Sequence, residues 1–363
     1  MHIYFRKILV LNKEKNFHPD RPTIVVMNHP NAFLDALFLV IQRFNKVFKL
    51  GQAGLYQNPW MKRVYNAFRI MPIYRQRDGA GGMQKNEEIF KQAIKKMSKN
   101  SLILVYAEGN PSMEFGLRPL KKGAARLAFQ AQNELNQAIQ IVILGVTYGN
   151  RRRFRTEAVL SFGEPIYTDK TKKGSPDDIN ELTKQIEVEL KAQIPVSKLA
   201  QTNQNAYNEL KTLNHHGAFT SYEQQHQALL NKAVEIDQEG YLPKEIKTPP
   251  ADLSCFKNPT DWFAALVCFV PGIVGLVLYA PFLRTMQWVG EKVPKDKQFI
   301  ASLKVATLLL FTIPYTSILA SFAYFIDGLT FLVAYLMISV SLFASLILFD
   351  FWNDIRAHRF FKA

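Results

Sequence analysis

Three apolar stretches in the last third of the chain, Trp262–Leu283, Val305–Ile326 and Leu329–Asp350, constrain the fold more than any other feature. Each is long enough to cross a hydrocarbon core of about 30 Å. A helical membrane region over 259–363 is therefore expected. Only Asp327 and Gly328 separate the second stretch from the third, which predicts a tight transmembrane hairpin, 305–326 with 329–350. Lys244, Lys247 and Lys257 precede the first stretch, and Arg284, Lys292, Lys295, Lys297 and Lys304 follow it. A full crossing would put one of these basic groups outside, against the positive-inside rule. A re-entrant 262–283, broken at Pro271, Gly272 and Pro281, removes the conflict; a spanning one keeps it. On the re-entrant reading the basic loops and the tail with Arg356, Arg359 and Lys362 are cytoplasmic, and the cytoplasmic (inner) membrane of a bacterium is the expected location.

The mean hydropathy of -0.07 averages two unlike parts, since the chain before Pro250 is polar and basic. Its 45 Lys and Arg exceed 30 Asp and Glu, a net charge of +15 that calls for an anionic partner. Zinc spacing, an RNA-binding signature and a basic heptad region are all missing, so nucleic acid is set aside in favour of an anionic lipid surface. The two cysteines, Cys255 and Cys268, read as free thiols. His215, His216 and His226 have no matching carboxylate or Cys pattern and read as surface residues, so no metal site is expected. At the N-terminus, MHIYFRKILVLNKEKN lacks a signal-peptide cleavage site and allows at most a short interfacial anchor.

Between Thr23 and Ile194, β-branched runs alternate with amphipathic helices, which argues one α/β domain over 1–195 with a mixed sheet and covering helices. Thr23–Met27, Met71–Arg75, Ser101–Tyr106, Ile141–Tyr148 and Ala158–Phe162 are predicted strands. Asn86–Met97 carries Ile89, Phe90, Ala93, Ile94 and Met97 on one stripe. Ser175, Pro176, Asp177 and Asp178 open another helix with cap, proline and acids in order. Residues 196–258 read as a polar helical linker or insert.

The chemistry is placed at His29–Asp35, HPNAFLD, where the strand Thr23–Met27 ends and Pro30 and Asn31 open a helix. A histidine on such a turn can take a proton on one ring nitrogen while a carboxylate, here Asp35, holds the other. An ordinary first-turn carboxylate would also explain Asp35. Arg75 could grip a phosphate through its guanidinium, although a solvated edge charge accounts for it as well when taken alone. Glu108 and Gly109 follow the strand Ser101–Tyr106, where a glycine lets backbone amides approach a ligand. Arg118, Lys121 and Lys122 stand before the helix opened by Gly123 and suit either an anion or solvent. Arg151, Arg152, Arg153 and Arg155 would suit lipid headgroups.

With these residues in view, the chain resembles the glycerol-3-phosphate and lysophosphatidate acyltransferase superfamily, whose four blocks fall between Thr23 and about Ile166. Asn28, His29 and Asp35 match the first block, Pro72 and Arg75 the second, Glu108 and Gly109 the third, and Ile141–Tyr148 the fourth. Five residues, not the usual four, separate His29 from Asp35, as in a subgroup resembling glycerol-3-phosphate acyltransferases with Asn at the position of Asn31. The usual Thr-Arg after Glu-Gly is Asn110-Pro111, so Arg118 or Lys121 would replace the missing arginine. The fourth block lacks its usual proline.

The resemblance implies a membrane-bound O-acyl transfer from an acyl thioester to a glycerol-3-phosphate or lysophosphatidate-type acceptor. His29 would be the general base, oriented by Asp35. Asn28, Asn31, Arg75, Glu108, Gly109, Arg118 and Lys121 would bind substrate. No cofactor is implied beyond acyl-CoA or acyl carrier protein as the donor. The alternatives are a non-phosphate lysolipid acceptor and a non-catalytic, membrane-anchored lipid-binding scaffold.

Overall fold

A computed structural model describes residues 4–18, 20–31, 34–35, 38–39, 46–56, 59–74, 82–109, 116–149, 154–197, 222–239, 259–294, 299–327 and 330–360. Arg75, Arg151, Arg152, Arg153, His215 and His216 lie outside them. The contacts divide the chain into two units: Val10–Thr147 with Val159–Lys198, and Met1–Leu9 with Tyr148–Ala158 and Leu199–Ala363. The second group takes in two short pieces of the span expected to form the α/β domain, 1–9 and 148–158.

The strands are β1 (Phe5–Leu11), β2 (Thr23–Met27), β3 (Val47–Gln52), β4 (Ile70–Ile73), β5 (Leu102–Tyr106), β6 (Gln140–Tyr148), β7 (Thr156–Phe162) and β8 (Ile166–Tyr167). They form one sheet in the order β1-β7-β6-β2-β5-β3-β4, with β8 antiparallel on β6. β2 runs parallel to both β5 and β6, and β3 runs parallel to β4 and β5. The sheet is therefore mixed. Parallel strands under helices are shielded on both faces, so continuous apolar runs suit them better than alternation. Accordingly Ile24, Val25, Val26, Ile103, Leu104, Ile141, Val142 and Ile143 have no exposed surface. Burying a side chain of this kind contributes about 1.5–3 kcal/mol.

Helices cover that core: α1 (Pro59–Ala67), α2 (Gly82–Met97), α3 (Gly123–Leu135) and α4 (Pro176–Gln193). α2 turns Ala93, Ile94 and Met97 inward, and α4 does the same with Leu182, Ile186 and Leu190. Ser175 and Asp178 close the expected capping box on α4. Three strands, β1, β3 and the short β8, lie where none was expected. β1 replaces the interfacial anchor read at the N-terminus, its FRKILVL pattern fitting an edge strand. β3 carries Lys49 in its middle, 5% exposed, with Nζ donating to the carbonyl of Phe68 at 2.9 Å.

The other unit is helical apart from its strand ends. It contains α5 (Tyr222–Glu239), α6 (Pro259–Val267), α7 (Phe269–Lys292), α8 (Ile300–Asp327) and α9 (Phe331–Phe360). His226, read as a surface residue, is buried in α5. Phe269–Lys292, Ile300–Ile326 and Phe331–Asp350 are long and apolar enough to cross a membrane. The expected break at Pro271, Gly272 and Pro281 lies instead at Cys268. Pro271 falls in the first turn of α7, where its missing N–H is not needed, and α7 continues through Pro281.

Small residues bring these helices together. A Cβ on Gly275 would stand 2.0 Å from the carbonyl oxygen of Ser341, and one on Gly272 2.9 Å from that of Ala344. Tyr279 and Thr316 share a buried hydrogen bond of 2.7 Å between α7 and α8. At the far end of α9, Asp350 pairs through both oxygens with the Nε and Nη2 of Arg155. Phe154 packs on Phe349 beside it.

Candidate active site

β2 and β5 are parallel neighbours in register, with Met27 beside Tyr106. Whatever follows each strand therefore emerges at the same sheet edge, and here those residues are Asn28-His29 and Ala107-Glu108. The chain leaves β2 for β3 on one side, returns to β5 and then crosses to β6 on the other. Such switch points, beyond the carboxyl ends of strands, are where open α/β sheets gather ligands.

Asn28 fastens the first residue of this edge. Its Nδ2 donates to the carbonyl of Val146 at 2.9 Å and its Oδ1 accepts from the Val146 N–H at 2.8 Å. The amide read from the sequence as substrate-binding is thus engaged by the β6 backbone, and it anchors the turn. His29 follows with its side chain 13% exposed. Its Nδ1 lies 2.8 Å from Oδ2 of Asp35, whose side chain has no exposed surface. A carboxylate can only accept here, so Nδ1 carries the hydrogen and Nε2 presents the lone pair. The same Oδ2 accepts the N–H of Asn31 at 2.8 Å, which holds the carboxylate against the start of the turn containing Leu34 and Asp35.

Glu108 binds the opposite side of that turn. One of its oxygens accepts the His29 backbone N–H at 3.1 Å, and the other accepts the Arg118 backbone N–H at 3.3 Å and Nε at 3.5 Å. Its side chain is 3% exposed, so the carboxylate acts chiefly as a buried tie between the β2 end and the segment before α3. Gly109 has a φ of +74°, which favours glycine, and Cγ of Lys121 lies 3.5 Å from where a Cβ would stand. Lys121 is pinned by its N–H to the carbonyl of Ala107 at 2.8 Å, leaving its side chain exposed beside Arg118.

Asn28, His29, Asn31, Asp35, Glu108, Gly109, Arg118 and Lys121 therefore form one continuous set, while Arg75 lies outside the described residues. The sequence reading missed Tyr106. Its ring stacks on the His29 imidazole with centroids 3.7 Å apart and planes 14° from parallel. Burial, together with the nearby Asp35 carboxylate, pushes the Tyr106 hydroxyl well above its ordinary pKa. No signal in the sequence pointed to it, because its place depends on β2 and β5 being neighbours that end level with each other. Among the described residues no cluster of His, Cys, Asp and Glu could hold a metal ion.

What the arrangement can do is move a proton. Nε2 of His29 is an acceptor whose partner nitrogen is held by a buried carboxylate. The chain is similar in part to known acyltransferases. Residues 8–149 match the family model described as Acyltransferase. Glycerol-3-phosphate O-acyltransferase 2 of Saccharomyces cerevisiae is 31% identical over 85 residues, which is 23% of this chain and 11% of the yeast enzyme. The crystal structure of the 1-acyl-sn-glycerophosphate (LPA) acyltransferase PlsC from Thermotoga maritima aligns with a TM-score of 0.36 and 18% identity. That alignment covers 53% of this chain and 72% of that one.

Proposed function

We propose that this protein is a membrane-bound acyltransferase that moves an acyl group from a thioester to the hydroxyl of a glycerol-3-phosphate or lysophosphatidate-type acceptor. The observation that carries the reading is the 2.8 Å pairing of His29 Nδ1 with the buried Asp35, which leaves Nε2 as a base. Nε2 takes the acceptor's hydroxyl proton as its oxygen attacks the thioester carbonyl carbon. The C–O bond forms, the C–S bond breaks, and the imidazolium returns the proton to the leaving thiolate. Arg118 and Lys121, with Arg75, supply the positive charge for a phosphate on the acceptor. The donor is acyl-CoA or acyl carrier protein, and the apolar helices hold the domain on the cytoplasmic side of the membrane, where acyl chains and lysolipids concentrate.

A second acceptor class is favoured by one feature, Asn110-Pro111 in place of Thr-Arg after Glu-Gly. A lysolipid without a phosphate would not need that arginine. The test is acyl transfer by the full chain in detergent, read by mass spectrometry. It offers long-chain acyl-CoA or acyl carrier protein with glycerol-3-phosphate, lysophosphatidate or a non-phosphate lysolipid. One acceptor should give product, and His29→Ala should lower the rate by about 10³-fold. Absence of product from every pair would move the reading to a lipid-binding scaffold.

A further inference from the structure

The mechanism above uses one face of the site and leaves the Tyr106 ring unexplained. Asp35 fixes the His29 imidazole at a single point, Nδ1, and a ring held at one point can still tilt about that hydrogen bond. The Tyr106 face lies 3.7 Å from it at 14°. Together the hydrogen bond and the stack define where the Nε2 lone pair points. The phenol hydroxyl is buried and has no hydrogen-bond partner among the described residues, so the ring face is what acts on His29. What remains of Tyr106 is an aromatic face whose quadrupole attracts a cation placed over it. The cation in question exists only during the reaction, when His29 carries the acceptor's proton.

We infer that Tyr106 is a positioning residue for His29, its ring face fixing the plane of the imidazole and stabilising the imidazolium that forms during proton transfer. This inference rests on the reading of His29 as general base. The charged groups at this edge are Asp35 on the following turn, Glu108 after β5 on the His29 backbone N–H, Arg118 held by Glu108, and Lys121 beside Gly109. All four stay in place from Tyr106→Phe through its fluorinated analogues, so a shift along that series reports the ring.

The experiment titrates His29 in the full detergent-solubilised chain by NMR of ¹³C-labelled histidine, with its signal assigned by disappearance in His29→Gln. Tyr106→Phe should leave the titration midpoint and the rate unchanged. Phenylalanines with successively more ring fluorines at position 106, placed by codon suppression, keep the shape and weaken the quadrupole. They should lower the midpoint stepwise, by about half to one pH unit in total. The acid limb of the kcat/KM profile should move to lower pH with it. Tyr106→Leu, which removes the plane, should reduce kcat by about 10-fold or more with KM unchanged. A midpoint that ignores fluorination overturns the inference, as does Tyr106→Phe behaving like Tyr106→Leu. If the midpoint follows the ring while no acceptor is acylated, the stack stands and the acyl-transfer reading falls. If acyl transfer proceeds while the midpoint stays put, the stack assignment alone falls.

Discussion

The two units bury polar groups for opposite reasons. In the sheet unit, buried polar side chains are tied to backbone at the strand ends: Asn28 to Val146, Asp35 to Asn31, Glu108 to His29 and Arg118. Its apolar residues are inside, as water demands. In the helical unit large apolar side chains face outward, Phe325 at 81% exposure and Leu310 at 67%. Where α7 meets α9 the contact is made by Gly272, Gly275, Ser341, Ala344 and Ser345, with hydroxyls on helix carbonyls. A face of this kind suits lipid, which gives no hydrophobic drive between helices, so that close backbone approach would replace it. On the proposed reading one chain is solvated by two media, and the same substitution should have different consequences in each.

The largest effect is expected where the sheet unit commits a buried charge to chemistry. Asp35→Asn should lower kcat by about 10³-fold with little change in KM, because the amide no longer dictates which imidazole nitrogen carries the hydrogen. Steady-state kinetics would check it, and an undiminished rate would detach Asp35 from the mechanism. Next comes the outward face of α8. Leu310→Lys would be neutral on a surface facing water, but facing lipid it should cost about 3 kcal/mol. Carbonate extraction of membranes would show a reduced integrated fraction, and unchanged retention would say that this face is not in hydrocarbon.

Asn28→Ala leaves the Val146 N–H and carbonyl without their partner, which should destabilise the sheet unit by about 2 kcal/mol. The readout is the thermal midpoint in detergent. The smallest effect is a pH dependence at Lys49. Burial, with Arg69 adding to it, pushes its ammonium down to about 8 from 10.5. Between those values the unfolded chain binds more protons than the folded one, so stability should rise from pH 8 to pH 10.5. The full shift would give about 3 kcal/mol, and water penetration around the ammonium should reduce the rise to about 1–2 kcal/mol, which the Lys49→Met variant should lack. A flat wild-type curve would mean that the buried ammonium is solvated.

How far these features were legible follows the same division. β2, β5 and β6 are short apolar runs rich in Val and Ile and bounded by turn residues, the pattern of a strand buried on both faces, so they were readable. β3 was not, because a lysine in the middle of VFKLGQ looks solvent-facing until the Phe68 carbonyl that receives it is known. β1 was hidden by its adjacent Arg6 and Lys7, which suit an edge strand as well as a surface segment. His29 and Asp35 could be paired from their spacing across a turn. Glu108 was visible as chemistry but not as the tie on the His29 N–H, because that depends on which strands are neighbours. Tyr106 and Val146 were invisible for the same reason. In the apolar part, the stretches were plain but the end of the first was not. Pro271 read as a breaker because its position relative to the helix start was unknown.

The Arg155–Asp350 pair joins residues 195 positions apart and is largely enclosed. Arg155 also reaches the carbonyl of Phe5, at the opposite extreme of the sequence. During synthesis the guanidinium therefore emerges long before the carboxylate that receives it. The unit that contains the pair can close only after α9 has been made. A product interrupted after α8 would lack the carboxylate that ties the strand-end segment at Arg155 to the last helix.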